Sequence, residues 1–394
     1  MDAVVAGVGM VPFTTPRLSE PYDVMAEGAV RAALADAGIV LEDVQQAYAS
    51  YVYGDSTSGQ RALYRVGVTG IPIINVNNNC SSGSSALFLA RQAVSSGAAE
   101  CVLAFGFEQM QRGALRSQWD DRPDPLGRFA AVAHEAQGAH EGVPVAAQYF
   151  GGAGRHYADR YGTSPETFAA ISVKSRRHAA DDPYAVFREP VTVEQVLGSG
   201  DVFGPLTRLQ CCPPSCGAAA VVVASRPFAA RHAGRSGGPA VGIRAQAMTT
   251  DSESSFDPSD LTRLVGYDMT ARAATSVYEQ SGVDPLDVPV VELHDCFTAN
   301  ELITYEALGL TPEGTAERFV VQGDNTYGGR VVTNPSGGLL SKGHPLGATG
   351  LAQCAELVWQ LRGQAGRRQV EGARVALQHN IGLGGAAVVT LYER

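Results

Sequence analysis

Apolar residues along this chain follow two periods in turn. Short β-branched runs such as Ile71–Val76 (IPIINV), Cys101–Gly106 (CVLAFG), Ala218–Ser225 (AAAVVVAS) and the run through Val290 and Val291 read as buried strands. Between them lie longer stretches whose apolar positions recur every three or four residues, as in Ser85–Val94 (SALFLARQAV) and Gly350–Leu361 (GLAQCAELVWQL), and these predict helices. The second is expected to be amphipathic, with one polar face. Strands alternating with helices predict βαβ units and mixed sheets with helices on their faces, an α/β protein.

The order of elements repeats. Val30–Ser50 (VRAALADAGIVLEDVQQAYAS) reads as a helix, a terminating glycine, a turn before Asp-Val and a strand, and Thr275–Asp295 (TSVYEQSGVDPLDVPVVELHD) echoes it. After each comes a Gly/Ser-rich loop, a helix and a closing strand, so that Ser85–Gly106 is answered by Gly350–Gly363 with Ala373–His379. The chain therefore divides into halves at residues 1–225 and 226–394. The first half carries an insertion of about ninety residues, about 110–200, with weak apolar periodicity and several helices.

Composition narrows the function classes. The net charge of -10 and the lack of a basic stripe argue against nucleic acid. No apolar run reaches the ~18 residues that span a bilayer, and the N-terminus MDAVVAGVGMVPF lacks the basic region of a secretory signal, so a cytoplasmic protein with no membrane association is expected. Seven unevenly spread cysteines fit a reducing compartment rather than a disulfide framework. Of 30 basic residues only Lys174 and Lys342 are lysines, so an anionic ligand would be held mainly by guanidinium groups. Arg116, Arg122, Arg128, Arg176 and Arg177 crowd the insertion, and each reads equally well as solvated surface.

Cys80 stands where the strand IPIINV hands over to a helix beginning SSGSSALFLARQ. The helix dipole and unpaired N–H groups there favour a thiolate, which is the nucleophilic form. Small neighbours, Ser81 to Ser85, are expected to leave room for a carbonyl to approach. The alternative is a buried Cys serving as a small hydrophobe. His294, Asp295 and Cys296 follow a β-branched run, and strand ends in α/β proteins open into ligand crevices. His344 lies between Gly343 and Pro345 in a glycine-rich loop before a helix, a poor place for core filler. Imidazoles at such sites suit proton transfer near neutral pH. Gly382, Gly384 and Gly385 could aim backbone donors at an oxyanion or could simply form a hairpin turn.

Together NNNCSSGSS, HDCF, GHPLGATG and the C-terminal glycine turn resemble the thiolase superfamily, and most closely its sterol-carrier-protein-type (HDCF) members, over nearly the whole chain. The resemblance implies a thiolase fold, duplicated βαβ halves in a five-layered α-β-α-β-α arrangement with an inserted loop domain. It implies a catalytic set of Cys80, His294, Cys296 and His344. Cys80 would attack the keto carbonyl of a 3-oxoacyl-CoA and His344 would take its proton. His294 and His344 would hold the enolate oxygen, and the N–H groups of Cys80 and Gly382 the tetrahedral oxyanion. Ordinary thiolases carry a second reactive Cys in a Cys-x-Gly near the C-terminus. Here Asn380, Ile381 and Gly382 stand in its place, and in the resembled subgroup Cys296 takes that acid/base role.

Coenzyme A is then a co-substrate, no group is bound permanently, no metal is expected, and a homodimer is the default. Fatty-acid or sterol side-chain β-oxidation is the setting implied. Because Cys80 is present, thiolysis is favoured over the retro-aldol cleavage of 3-hydroxyacyl-CoA that some relatives perform with a small OB-fold partner. A ketoacyl synthase-like condensing enzyme is a further alternative. No sterol-carrier module is expected after LYER. The CCPPSCG stretch (Cys211, Cys212, Cys216) lacks the paired spacing of a zinc site and reads as a turn. His134 and His140 read as loop or surface residues. GVGM and FGFEQM lack dinucleotide-loop spacing.

Overall fold

The computed structural model describes residues 2–111 and 119–394. Arg116 lies outside the described residues. Among the described residues ten strands join in one mixed sheet built from two five-strand sets. The first set has the spatial order Ile73–Val76, Gln46–Ser50, Cys101–Glu108, Gly217–Ser225, Ala3–Met10. The second has Val332–Thr333, Val290–Glu292, Val375–Gly382, Ala386–Glu393, Val241–Thr249. In both sets the chain order reads third, second, fourth, fifth, first, with the outer three strands parallel and the others antiparallel. The sets meet at a short antiparallel contact, Val4 with Gly242 and Val5 with Val241.

Helices complete five layers. Tyr22–Ala37 covers the outer face of the first set and Tyr267–Ser281 that of the second, and each ends at a glycine in the left-handed region, Gly38 (φ 68°) and Gly282 (φ 68°). A residue with a Cβ would be strained in that conformation, so the repeated glycine is a stop signal with a steric cause. Between the two sets lie Ser82–Ser95 and Leu346–Arg362, which touch each other and strands of both halves. Three apolar clusters fill the spaces: outer first layer, centre, and outer second layer merged with the insertion.

The helix Leu346–Arg362 corrects an expectation: it is not amphipathic. All of its residues but Trp359 are buried, because sheet lies on both sides of it. Its polar residues are paired instead of solvated. Glu356 meets Arg368 at 2.7 Å, Arg362 meets Asp36 at 2.7 Å, and the Gln360 amide is held by Arg368 and Val370 backbone. A buried polar group without such partners would cost about 1–3 kcal/mol.

The insertion supplies helices Gly127–Gln137, Val145–Tyr161, Pro165–Ala179 and Val193–Leu197. Among the described residues no helix is long and apolar enough to cross a membrane.

Candidate active site

Cys80 closes a tight loop after the strand Ile73–Val76. Asn79 adopts φ 51°, a left-handed conformation that Asn tolerates. Serine hydroxyls stitch the loop to the helix that follows: Ser81 Oγ donates to Asn78 O (2.9 Å), Ser82 Oγ to Asn79 O (2.6 Å), and Asn78 Nδ2 to Ser85 Oγ (2.9 Å). Ser81 to Ser85 are all buried, so they do not serve as open space for an approaching carbonyl. Gly83 is small for a different reason. A Cβ there would lie 2.9 Å from Gly347 O and 3.0 Å from Gly350 N, so its absence lets the two central helices touch.

The second helix brings His344 to the same place. Gly343 (φ 116°) turns the chain where any Cβ would press on Ser215, and the Ser215 hydroxyl accepts from His344 N at 2.6 Å. Thr349 Oγ1 donates to Pro345 O (2.9 Å) and has no second proton, so His344 Nδ1 must donate to it at 2.6 Å. The remaining nitrogen, Nε2, is buried, unpartnered and left with a lone pair. His294 follows the strand Val290–Glu292, and its ring stands edge-on to that of His344 with centroids 5.0 Å apart. Asn380, from the strand Val375–Gly382, contacts His294 Nδ1 at 2.8 Å.

Cys80 Sγ and one ring nitrogen from each of His294 and His344 lie within 4.8 Å of one another. A thiolate and an imidazole lone pair are also zinc donors, so Cys80 and His344 could take a soft divalent cation in place of substrate.

Electrostatics correct the expected acidity of Cys80. Protein crowds the sulfur, and loss of hydration, reinforced by the Glu108 carboxylate, pushes its thiol up to about 12. A helix N-terminus offers at most about 2 kcal/mol toward the anion, too little to offset this. The thiol is therefore protonated at rest and points at Asn79 Oδ1 (3.6 Å). Burial also pulls His344 down to about 3, and His294 falls well below the ordinary range through burial and the neighbouring His344 and His379. Both imidazoles are neutral at pH 7. Glu108 accepts from Val52 N, Tyr53 N and Gly347 N, and burial raises its carboxyl to about 7.

Within HDCF the four residues have separate surroundings. His294 faces the site, and Asp295 accepts from Leu339 N at 2.7 Å and caps the short helix Gly338–Ser341. Phe297 stacks on Phe150 of the insertion at 5.0 Å. Cys296 is buried close enough to Cys80 and Cys212 that each thiolate would repel the others, and its thiol lies well above the ordinary range, chiefly through burial. Cys212 N donates to Cys296 O (2.9 Å). CCPPSCG therefore lines the site: Cys212 sits beside Cys80 and Ser215 anchors His344. Sequence reasoning missed both, although the unusual Cys/Pro cluster was the available signal.

Gly382 also reaches the site, since a Cβ there would lie 2.2 Å from Asn78 O and 2.8 Å from Ser81 Oγ. Gly384 (φ 95°) and Gly385 (φ 97°) form the hairpin turn to Ala386–Glu393. Both lysines are buried and ion-paired, Lys174 with Glu301 and Lys342 with Glu292. Arg122 pairs with Asp121, Arg128 with Glu253, Arg176 stacks on Phe187 and Arg177 bonds Thr326. His134 is exposed, and His140 packs edge-on against Phe203.

Duplicated sheets, buried central helices and loops that converge at strand ends define a two-half α/β protein whose cleft brings one thiol and two imidazoles together. The family model described as "Thiolase, N-terminal domain" matches residues 3–204, and "Thiolase C-terminal domain-like" matches 247–394. The chain belongs to the thiolase family. It is 55% identical over 394 residues to sterol carrier protein 2 of Oryctolagus cuniculus, covering 99% of this chain and 71% of that one. Among solved structures, a chain of the Ltp2-ChsH2(DUF35) aldolase has TM-score 0.84 and 26% identity, covering 100% of this chain and 97% of that one. Human mitochondrial 3-ketoacyl-CoA thiolase in complex with CoA has the same fold, with TM-score 0.73 and 19% identity, covering 100% and 98%.

Proposed function

We propose that this thiolase-family acyltransferase cleaves, or in reverse forms, 3-oxoacyl-CoA through an acyl enzyme on Cys80. The observation that carries the reading is the meeting of one thiol and two neutral imidazoles within 4.8 Å. As Cys80 Sγ attacks the keto carbon, its proton passes to the free Nε2 of His344. The oxyanion meets the N–H groups of Cys80 and Gly382. Its collapse breaks the carbon–carbon bond, and the electron pair moves onto the enolate oxygen of the leaving thioester. His294, together with His344 now protonated, donates to that oxygen, and Cys296 gives its proton to the leaving carbon, releasing acetyl- or propionyl-CoA. Cys296, now a thiolate, takes the proton of an incoming CoA thiol, which removes the acyl group from Cys80, and the departing Cys80 thiolate regains its proton from His344.

Coenzyme A is thus a co-substrate, and the CoA complex of the human thiolase supports this. The relative named sterol carrier protein 2 favours a sterol or fatty-acyl thioester as substrate, the kind that side-chain β-oxidation would supply. The strand order supports a division at about residue 225 with a loop domain over about 110–200. Ile73–Val76 ends the sheet with one edge free and Ile74 exposed, a place where a homodimer would continue it.

The likeness to the Ltp2-ChsH2(DUF35) aldolase favours a second reading, retro-aldol cleavage of 3-hydroxyacyl-CoA with a small partner. One experiment separates the two. Mass spectrometry after incubation with 3-oxoacyl-CoA thioesters of short, medium and steroid type should show an acyl adduct on Cys80, lost in Cys80→Ala. Absence of the adduct, with CoA-independent cleavage of a 3-hydroxyacyl-CoA, would replace the thiolase reading by the aldolase one.

A further inference from the structure

Four buried side chains connect the core to His294, and one carbonyl sets the direction of the bonds among them. Gln378 Nε2 lies 2.6 Å from Gly350 O. A carbonyl oxygen only accepts, so the amide nitrogen must face it, and Gln378 Oε1 is left to accept from the Tyr392 hydroxyl. The same Nε2 donates to Ser84 Oγ at 3.0 Å. Ser84 then has its own proton free, and Asn380 Oδ1 receives it at 3.0 Å. That turns Asn380 Nδ2 toward His294, so Nδ1 of the ring is an acceptor at 2.8 Å and the ring proton lies on Nε2. Gly350 makes the chain physically possible, because a Cβ there would overlap Ser84 and approach Asn380 Oδ1 to 2.9 Å.

We infer that Asn380 is a positioning residue that locks His294 as a neutral Nε2–H donor, opposite in tautomer to His344. The inference rests on the acyl-transfer reading for its meaning: a base needs a lone pair, an enolate oxygen needs a donor, and adjacent imidazoles have been given one task each. With the proton moved to Nδ1, His294 would turn a lone pair toward the developing negative charge. Loss of one such donor costs about 10²–10³ in kcat.

Asn380→Asp is the discriminating variant, since a carboxylate only accepts and so demands a proton on Nδ1. Ring ¹⁵N–¹H correlation spectra of histidine-labelled enzyme, with His294 assigned from a His294→Gln sample, read the tautomer directly. In the wild type His294 should carry its proton on Nε2. In Asn380→Asp above neutral pH the proton should move to Nδ1 and kcat should fall about 10²–10³-fold, with KM changed less than about threefold. Lowering the pH should restore part of the loss, because the imidazolium regains Nε2–H; the wild type should show no such limb. If Asn380→Asp misfolds, Ser84→Ala breaks the chain one bond earlier and should yield a mixture of tautomers at His294. A wild-type proton on Nδ1, or an Asn380→Asp enzyme with the wild-type pH profile, overturns the inference. Absence of any Cys80 adduct in the wild type would overturn the acyl-transfer reading and leave the tautomer result standing.

Discussion

The resting protonation of Cys80 is open to direct measurement. A thiol at about 12 stands five pH units above neutrality, so about one molecule in 10⁵ carries the thiolate at pH 7, an ionisation cost of about 7 kcal/mol. Iodoacetamide reacts with the thiolate alone. Pulsed alkylation, quantified at the Cys80 peptide by mass spectrometry, should rise about tenfold per pH unit from pH 6 to 10 with no plateau. Turnover should not follow that curve, because His344 Nε2 receives the proton during attack. The base is lost only as pH falls toward about 3, so the acid limb of kcat/KM should lie far below the ordinary imidazole range. A plateau in alkylation with a midpoint below pH 8 would show an acidified thiol and refute the reasoning. So would a turnover that loses activity through pH 6.5.

Two further outcomes follow from packing and donor chemistry. Gly83→Ala places a methyl 2.9 Å from Gly347 O, against backbone that cannot swing aside; thermal unfolding should show a loss of about 1–3 kcal/mol, with kcat falling as Cys80 and His344 separate, and unchanged stability would refute the close contact. Zinc should inhibit reversibly and in competition with acyl-CoA, with a chelator restoring activity, because Cys80 and His344, whose ligand atoms lie within 4.8 Å of each other, offer a thiolate and a ring lone pair, while the Nε2–H of His294 withholds a third donor; full activity in saturating zinc would show that the two cannot close on an ion.

The fold was legible because its signals are local. A helix-ending glycine, a turn before Asp-Val and a short β-branched strand recur at Gly38 and Gly282, and each has a steric cause in its own segment. Cys80 and His294 were legible for the related reason that each follows a strand end, and His344 because it stands in a glycine-rich loop before a helix. What supports them was not. Asn380 is joined to Ser84 across 296 positions and Ser215 to His344 across 129, and no periodicity carries such pairings. The helix Leu346–Arg362 looked amphipathic because Gln353, Glu356 and Gln360 are polar, whereas burial between two sheets turns them into internal hydrogen-bonding groups. The acidity of Cys80 was misjudged because a dipole is visible at a helix start and desolvation is visible only in the packed molecule.

Duplication explains why the proposed nucleophile and base meet. In each half the third strand, Ile73–Val76 or Val332–Thr333, leads into a central helix, through a loop in the first half and through the short helix Gly338–Ser341 and a glycine turn in the second, and these connections deliver Cys80 and His344 just before Ser82–Ser95 and Leu346–Arg362. One topological position therefore holds the thiol in the first half and the imidazole in the second. The fourth strands correspond as well: Cys101–Glu108 ends at the carboxylate that raises the thiol, and Val375–Gly382 ends at the glycine against its loop. Beyond Gly382 the second half needs only a three-residue turn, whereas beyond Glu108 the first half inserts the segment whose Phe150 stacks on Phe297. Two helix N-termini are thus brought to one cleft, where their partial positive charges favour an anion. Under the proposed chemistry the anion that lasts is the enolate or oxyanion rather than the thiolate. Burial keeps the sulfur protonated until a carbonyl carbon is there to receive its electron pair, and the paired dipoles then act on the charge that has moved to oxygen.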